Sequence, residues 1–432
     1  MDQRHGASYL SPEESAIADL LHSAHLVAPH DLPVLFERHG AALGVSEVVV
    51  YLVDLQQNVL VPFLPPDGPL DTTQLTSLGV DSTLAGRTFQ QSQPLTHEVD
   101  AGDSVKVWLP LLSGTERLGV LAVTVPHADA LPDHDSALMT RLRIFAALAA
   151  ALLTAKTLYG DTLVRLRRSA EMGLAAEMQW SLLPPLTFDS SVITIAGGLE
   201  PAYEVAGDSI DYAVDDGVAR FAVFDGMGHG LRSAQLATLT VAAYRSGRRG
   251  NRSLTTIARS IDGSVTAAFA GDAFITGVLA ELDTDSGILT WVNAGHPEPL
   301  LLRAGRLVKA VHVAPMLPFG LDSELGASED VEIGREALEP GDIVVLYTDG
   351  VVEARSPSGE FFGVDLLVDL LVRNLAAGLP AAETMRRLIR ALLDHQQARL
   401  SDDATMVFVQ WQPENQAEHS ALSRQSRVAT SW

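Results

Sequence analysis

Residues 219–230 read ARFAVFDGMGHG. The run up to Phe224 is short and almost wholly apolar, the pattern of a strand buried on both faces, and Asp225 ends it. Gly226, Gly228 and Gly230 follow, which permit tight turns and bring backbone carbonyls close to a ligand. A helical segment then runs from Ser233 to Arg245. The same arrangement recurs in DIVVLYTDG (342–350), where Asp349 closes a strand just before Gly350. Two more turns carry carboxylates: AGDSID (206–211) holds Asp208, and SDDAT (401–405) holds Asp402 and Asp403 ahead of the apolar run MVFVQW. Taken singly, each is most simply a solvated turn. Taken together, carboxylates at the ends of strands are how a chain builds an oxygen-ligand cage for a hard divalent metal.

The bulk properties narrow the classes. At 432 residues, 47% of them hydrophobic, the chain is long enough for two or three domains with real cores. A formal charge of −24 argues against nucleic acid or an anionic membrane as the main partner. There is no cysteine, which excludes disulfides, thiolate nucleophiles and zinc–thiolate sites. MDQRHGASYLSPEE at the N-terminus lacks a signal-peptide core, and the apolar stretch Ile144 to Ala155 is too short to span a bilayer, so a cytoplasmic location is expected.

The expected fold class is α+β. Residues 12–43 carry apolar positions at helical spacing; SEVVVYLVDL and NVLVPFL read as strands around a turn at Gln56–Asn58. A helix near STLAGRTF leads into an extended piece, VKVWLPLLSGTERLGVLAVTV is a hairpin turning at Ser113–Glu116, and a long helix is expected from Pro132 with Asp133 as its cap. On AGRTFQQSQPL (85–95) and VWLPLLSGTERLGVLAVTV (107–125), residues 12–155 resemble a GAF domain. That resemblance implies a sensory module with an unidentified ligand; the scattered histidines lack ligand spacing. Helical signal continues to about residue 183, with a stripe at Leu138, Leu142, Phe145, Ala149, Leu152, Lys156, Tyr159, Leu163, Leu166 and Ala170. It reads equally as one long helix packed on its own domain or as a homodimeric coiled coil. Residues 156–186 are therefore a helical linker, stopped at Pro184–Pro185; residues 187–412 form the second domain, and 413–432 a polar, disordered tail.

Residues 171–411 resemble the protein phosphatase 2C-like (PPM) serine/threonine phosphatases, in the SpoIIE/RsbU branch. The ordered motifs are AAEMQWSLLPP, VAGDSID, FDGMGHG, WVNAGHPEPLL (291–301), LPFG (317–320), LEPGDIVVLYTDGVVEA (338–354), FFG (361–363) and SDDAT. The resemblance implies a helix-flanked β-sandwich (αββα) with two Mn²⁺ or Mg²⁺ ions at one end. It implies Asp225 as bridging ligand with the Gly226 carbonyl beside it, Asp349 and Asp402 completing the cage, and Asp208 acting directly or through water. Gly350 and Asp403 are lesser contributors. The implied reaction is in-line hydrolysis of a phosphoserine or phosphothreonine by metal-activated water, without a covalent phosphoenzyme. The implied substrate is a phosphorylated STAS-domain anti-anti-sigma factor, under control of the GAF domain.

Ser209 and Ile210 stand where the family usually has aromatic residues, while Asp211 is kept. His229 and His296 are read as ordering loops rather than as catalysts. The spaced aspartates Asp283 and Asp285 in LDTDSGILTW are a hairpin turn. A catalytically silent scaffold of the same fold is the alternative. A two-metal nuclease is disfavoured by the acidic balance.

Overall fold

A computed structural model describes residues 12–65, 75–99, 103–126, 136–200, 203, 207–321, 331–397 and 402–413. The chain divides into two compact units, Met1–Ala170 and Glu171–Trp432. The expected helix cap at Asp133 and the expected tail from 414 onward lie outside the described residues.

In the first unit, strands β1 (Glu47–Val53), β2 (Val59–Phe63), β3 (Leu78–Gly79), β4 (Leu95–Val99), β5 (Ser104–Ser113) and β6 (Glu116–Pro126) form an antiparallel sheet in the order β3-β2-β1-β6-β5-β4. Alternation divides its side chains between two cores. Val50, Leu52, Val107, Leu109, Leu121 and Val123 pack with residues of helices α1 (Pro12–Ala24) and α2 (Leu32–Ala42). Val49, Tyr51, Trp108 and Val120 pack with Ala85 and Phe89 of α3 (Leu84–Gln91). The hairpin between β5 and β6 turns where the sequence places it. A Cβ on Gly119 would meet the Tyr51 carbonyl oxygen at 1.9 Å and Leu52 Cα at 2.9 Å. Gly119→Ala should therefore push β1 from β6 and destabilise this unit by about 2–3 kcal/mol, the scale of a forced overpacking. A lowered first transition in the calorimetric melt of the full chain would show it; an unchanged melt would refute it.

The long helix departs from expectation. Helix α4 spans Ala137–Thr157, capped by Ser136, whose hydroxyl accepts from the Met139 amide at 3.1 Å. It is then interrupted at Leu158–Asp161. A short α5 (Thr162–Leu166) follows, and α6 (Leu174–Leu182) starts afresh in the second unit. Gly160 weakens the helix there, by about 1 kcal/mol relative to alanine. Turning back also buries Leu163 in the first core, and the chain docks on β1: Arg167 Nε donates to the Val53 carbonyl at 3.0 Å, and the Leu55 amide donates to the Arg167 carbonyl at 3.0 Å. The continuous linker helix over 156–186 is thus corrected to two separate short helices. Leu142, Phe145 and Ala149 of the expected coiled-coil seam are buried in the unit's own core, so that seam is not free to pair with a second copy. At 21 residues α4 is also longer than its apolar centre suggests, and by length and composition it could cross a membrane. Its buried Met139, Phe145 and Leu153 belong to the core of this unit.

The second unit is a sandwich. One sheet contains β9 (Ser209–Asp215), β10 (Val218–Gly226), β11 (Ile275–Asp283), β12 (Ile288–Ala294) and β15 (Gly334–Ala337), in the order β15-β12-β11-β10-β9. The other contains β7 (Thr187–Asp189), β8 (Ile193–Glu200), β13 (Leu300–Arg303), β14 (Arg306–Ala310), β16 (Ile343–Tyr347) and β17 (Ala404–Trp411), in the order β14-β13-β16-β17-β8-β7. Phe221, Val223, Val278, Trp291, Val344, Leu346, Val407 and Val409 fill the space between them. The opposite faces of the same strands pack outward. Ala222 and Phe224 meet α7 (Leu231–Arg249) and α8 (Leu254–Phe269). Beyond a one-turn α9 (Asp349–Val352), Val345 and Phe408 meet α10 (Gly363–Ala376) and α11 (Ala381–His395). This is the expected helix-flanked sandwich. Asp283 and Asp285 sit in the β11–β12 hairpin turn, where Asp283 accepts from the amides of Asp285 and Ser286 at 3.1 and 2.8 Å.

Candidate metal centre

The inward alternation of the sandwich does not stop with its apolar residues. Continuing it past Ile210 on β9 leads to Asp208, and past Phe221 and Val223 on β10 to Asp225. From Val344 and Leu346 it leads to Thr348, and from Val407 back through Thr405 to Asp403. Polar side chains thus take over at one end of the sandwich because the strands outrun the apolar core there.

Asp208 and Asp403 are buried, at 2% and 4% exposure. The Thr348 hydroxyl donates to Asp208 Oδ2 at 2.8 Å, and in turn accepts from the Thr405 amide at 3.0 Å. Gln179 of α6 donates its side-chain amide to the Asp208 carbonyl. Asp403 Oδ2 accepts from the amides of Gly207 and Asp208, at 3.0 and 3.5 Å. Asp403 therefore shapes the loop that carries Asp208. Asp225 is half-buried, while Asp349 and Asp402 are exposed. Asp402 Oδ1 accepts from the Asp403 amide at 2.9 Å. The arrangement is an open rim of Asp225, Asp349 and Asp402 with a buried Asp208–Asp403 floor.

The electrostatics tie these groups together. Burial, then the charges of Asp225 and Asp403, hold Asp208 well above the usual carboxylate range. Burial pushes Asp225 up to about 7, with Asp349, Asp402 and Asp403 adding to the rise. Asp349 is also raised, by burial, then Asp402 and Glu353. Among the described residues, no group of three or more acidic or histidine side chains is close-set enough to hold an ion as it stands. The carboxylates converge and repel one another without a closed cage.

Glycines at the site have steric roles. A Cβ on Gly207 would meet Ser233 Oγ at 2.1 Å and the Gly226 carbonyl at 2.3 Å. One on Gly350 would meet the Asp403 carbonyl at 1.9 Å. The Gly226 carbonyl accepts from Ser233 Oγ at 3.1 Å, which occupies one of its lone pairs. His229 is exposed between Gly228 and Gly230, both at positive φ of 80° and 78°. His296 is buried among loop hydrogen bonds. Asp211 points the other way, toward α7, where it accepts from Arg245 at 2.7 Å and Arg248 at 2.8 Å. Thr348 and Gln179 escaped the sequence reading; Thr348 could have been found by extending the inward parity of β16 by one step.

Residues 215–412 match the model of the family described as Stage II sporulation protein E (SpoIIE). Within the second unit, residues 215–412 are thus similar to the SpoIIE family. Protein IcfG of Synechocystis is 31% identical over 145 residues, 32% of this chain and 20% of that protein. Phosphoserine phosphatase RsbU of Bacillus subtilis is 26% identical over 249 residues, 56% of this chain and 70% of RsbU. Among solved structures, the SiaA-PP2C domain of Pseudomonas aeruginosa is 20% identical, with 55% of this chain and 94% of that one covered and a TM-score of 0.45. The match to the first of these relatives therefore spans only a fifth of its length.

Proposed function

We propose that the second unit is a metal-dependent phosphatase acting on phosphoserine or phosphothreonine of a regulatory protein. The observation that carries this is the rim of Asp225, Asp349 and Asp402 above the buried Asp208. All its donors are oxygens, the chemistry that suits Mn²⁺ or Mg²⁺. Burial, and after it mutual repulsion, raises Asp225 and Asp349, and a dication would offset both. Asp208, Asp225, Asp349 and Asp402 would hold two such ions, with the Gly226 carbonyl. Bound there, they would neutralise the phosphate and supply a water nucleophile active at neutral pH.

The chain's own residues set the geometry. Thr348 fixes the Asp208 carboxylate, Asp403 fixes the backbone of its loop, and Gly350 lets the two ligand-bearing turns approach. No thiol is required. The similarity to RsbU, named a phosphoserine phosphatase, supports the substrate class. Within that class we favour a STAS-domain anti-anti-sigma factor in the cytoplasm, with the first unit as a GAF-type sensor for an unidentified ligand. Gln179 offers a route for control: any force that shifts α6 also moves the Asp208 carbonyl.

The test is Mn²⁺-dependent phosphate release from a phosphoserine protein, with Asp225→Ala and Asp349→Ala beside wild type. Activity is expected for wild type with Mn²⁺ or Mg²⁺, and none after chelation. Activity that survives chelation, or that both variants keep, would overturn the metal reading; inactivity with every metal would favour a silent scaffold.

A further inference from the structure

His296 is 6% exposed and enters none of the chemistry above. It lies in the loop after β12, which Asn293 closes twice: Asn293 Nδ2 donates to the His296 carbonyl at 2.8 Å, and its Oδ1 accepts from the His296 amide at 2.8 Å. The ring is therefore held from its own backbone. Its Nδ1 is 2.8 Å from Thr276 Oγ1. Thr276 stands directly opposite Asp225 in the β10–β11 ladder. Cross-strand partners of this kind have Cβ atoms about 4.5–5.5 Å apart and share one face of the sheet. Thr276 also falls on the inward alternation of Val278, Ala280 and Leu282.

The other ring nitrogen, Nε2, is buried and makes no hydrogen bond of ordinary geometry. The main chain of Tyr347, at the end of β16 and two residues before Asp349, lies within hydrogen-bonding reach of the ring. Burial pushes the imidazole down to about 4, so it is uncharged at neutral pH, with one nitrogen donating and the other accepting. One ring thus stands between the strand opposite Asp225 in one sheet and the strand that delivers Asp349 in the other.

We infer that His296 is a positioning residue for the acidic cluster, a clasp between β11 and β16 that fixes Thr276 and, through it, the placement of Asp225 relative to Asp349. The inference rests on reading Asp225 and Asp349 as metal ligands. It gives His296 a role distinct from acid–base catalysis, since the ring touches no reacting group.

The test compares Thr276→Val, Thr276→Ser, His296→Ala and wild type in the full chain. It uses Mn²⁺ affinity by titration calorimetry and amide exchange at Asp225, Gly226 and Thr276 in metal-free protein. Loss of a group that orients a metal ligand typically weakens binding about 10–100-fold. Thr276→Val and His296→Ala should show that loss and faster exchange at the three amides, while Thr276→Ser, which keeps the hydroxyl, stays within about threefold of wild type. If His296→Ala does not fold, the two threonine variants carry the comparison. Unchanged affinity and unchanged exchange in Thr276→Val would overturn the inference. If wild type binds no Mn²⁺ but exchange still quickens in Thr276→Val and not in Thr276→Ser, the clasp stands and the phosphatase reading fails.

Discussion

Replacing Asp225 with asparagine should cut metal-dependent phosphate release by at least about a hundredfold, the scale of losing one charge-stabilising group at a reaction centre. It should also make the metal-free protein more stable. Burial, followed by the charge of Asp349, pushes the Asp225 carboxyl up to about 7, whereas in an unfolded chain it titrates near 3.9. Between those values the folded state binds more protons, so stability falls as pH rises through the window from about 4 to about 7. A shift of some three units sets a ceiling of about 4 kcal/mol. Solvent access and sharing among coupled carboxylates bring the expected effect to about 2 kcal/mol, or roughly 4–8 °C for a unit of this size. Calorimetry in chelator at pH 5.5 and pH 8 reads this directly. Wild type should melt higher at pH 5.5, the asparagine variant should lose much of that dependence, and Mn²⁺ should restore wild type at pH 8. Equal pH dependence in the two proteins would show that Asp225 does not carry the repulsion.

Asp211→Ala should be the most damaging single change to stability, at about 3–5 kcal/mol, because it strands two guanidinium groups in a mostly buried place. Asp211 is 1% exposed and pairs with Arg245 at 2.7 Å and Arg248 at 2.8 Å. Arg245 also donates to the Leu182 carbonyl at the end of α6, so the loss would loosen that helix as well. Changing Asp211, Arg245 and Arg248 together to leucine and methionines removes the stranded charge and should recover most of the loss. Urea midpoints of the single and triple variants decide the matter; a single variant as stable as wild type would mean that solvent already screens the pair.

The sandwich and its acidic end were legible because strands announce themselves by apolar runs and the carboxylates sit where those runs stop. Asp225 after Phe224 and Asp349 after Tyr347–Thr348 are of this kind. The division of labour between Asp402 and Asp403 was harder to read. Adjacent residues in an extended segment point to opposite sides, and ATMVFVQW is buried on both faces, so its composition does not say which side is inward. The register with β16 does, and it turns Asp403 into the floor and Asp402 into the rim. Asp211 reads as part of the acidic motif yet faces α7, again by one step of parity. The helix from 137 to 182 failed for a different reason. Its apolar stripe is real, but a stripe records only that something covers it; Leu142, Phe145 and Ala149 are covered by their own unit. The first compact unit runs to Ala170, beyond the residues 12–155 on which the GAF resemblance rests.

Among the described residues β17 is the last strand, and it lies between β16 and β8 in the middle of its sheet. Its partners along the ladder, such as Ala404 with Glu200, are separated by most of the unit's length. A ribosome that has released residues 187–397 has therefore already made Asp208, Asp225 and Asp349. The parts β14-β13-β16 and β8-β7 still have no ladder joining them, and the amides of Gly207 and Asp208 lack Asp403. Contacts this distant in sequence form late. Translation halted before Asp402 would leave a chain rich in carboxylates but without an assembled acidic end.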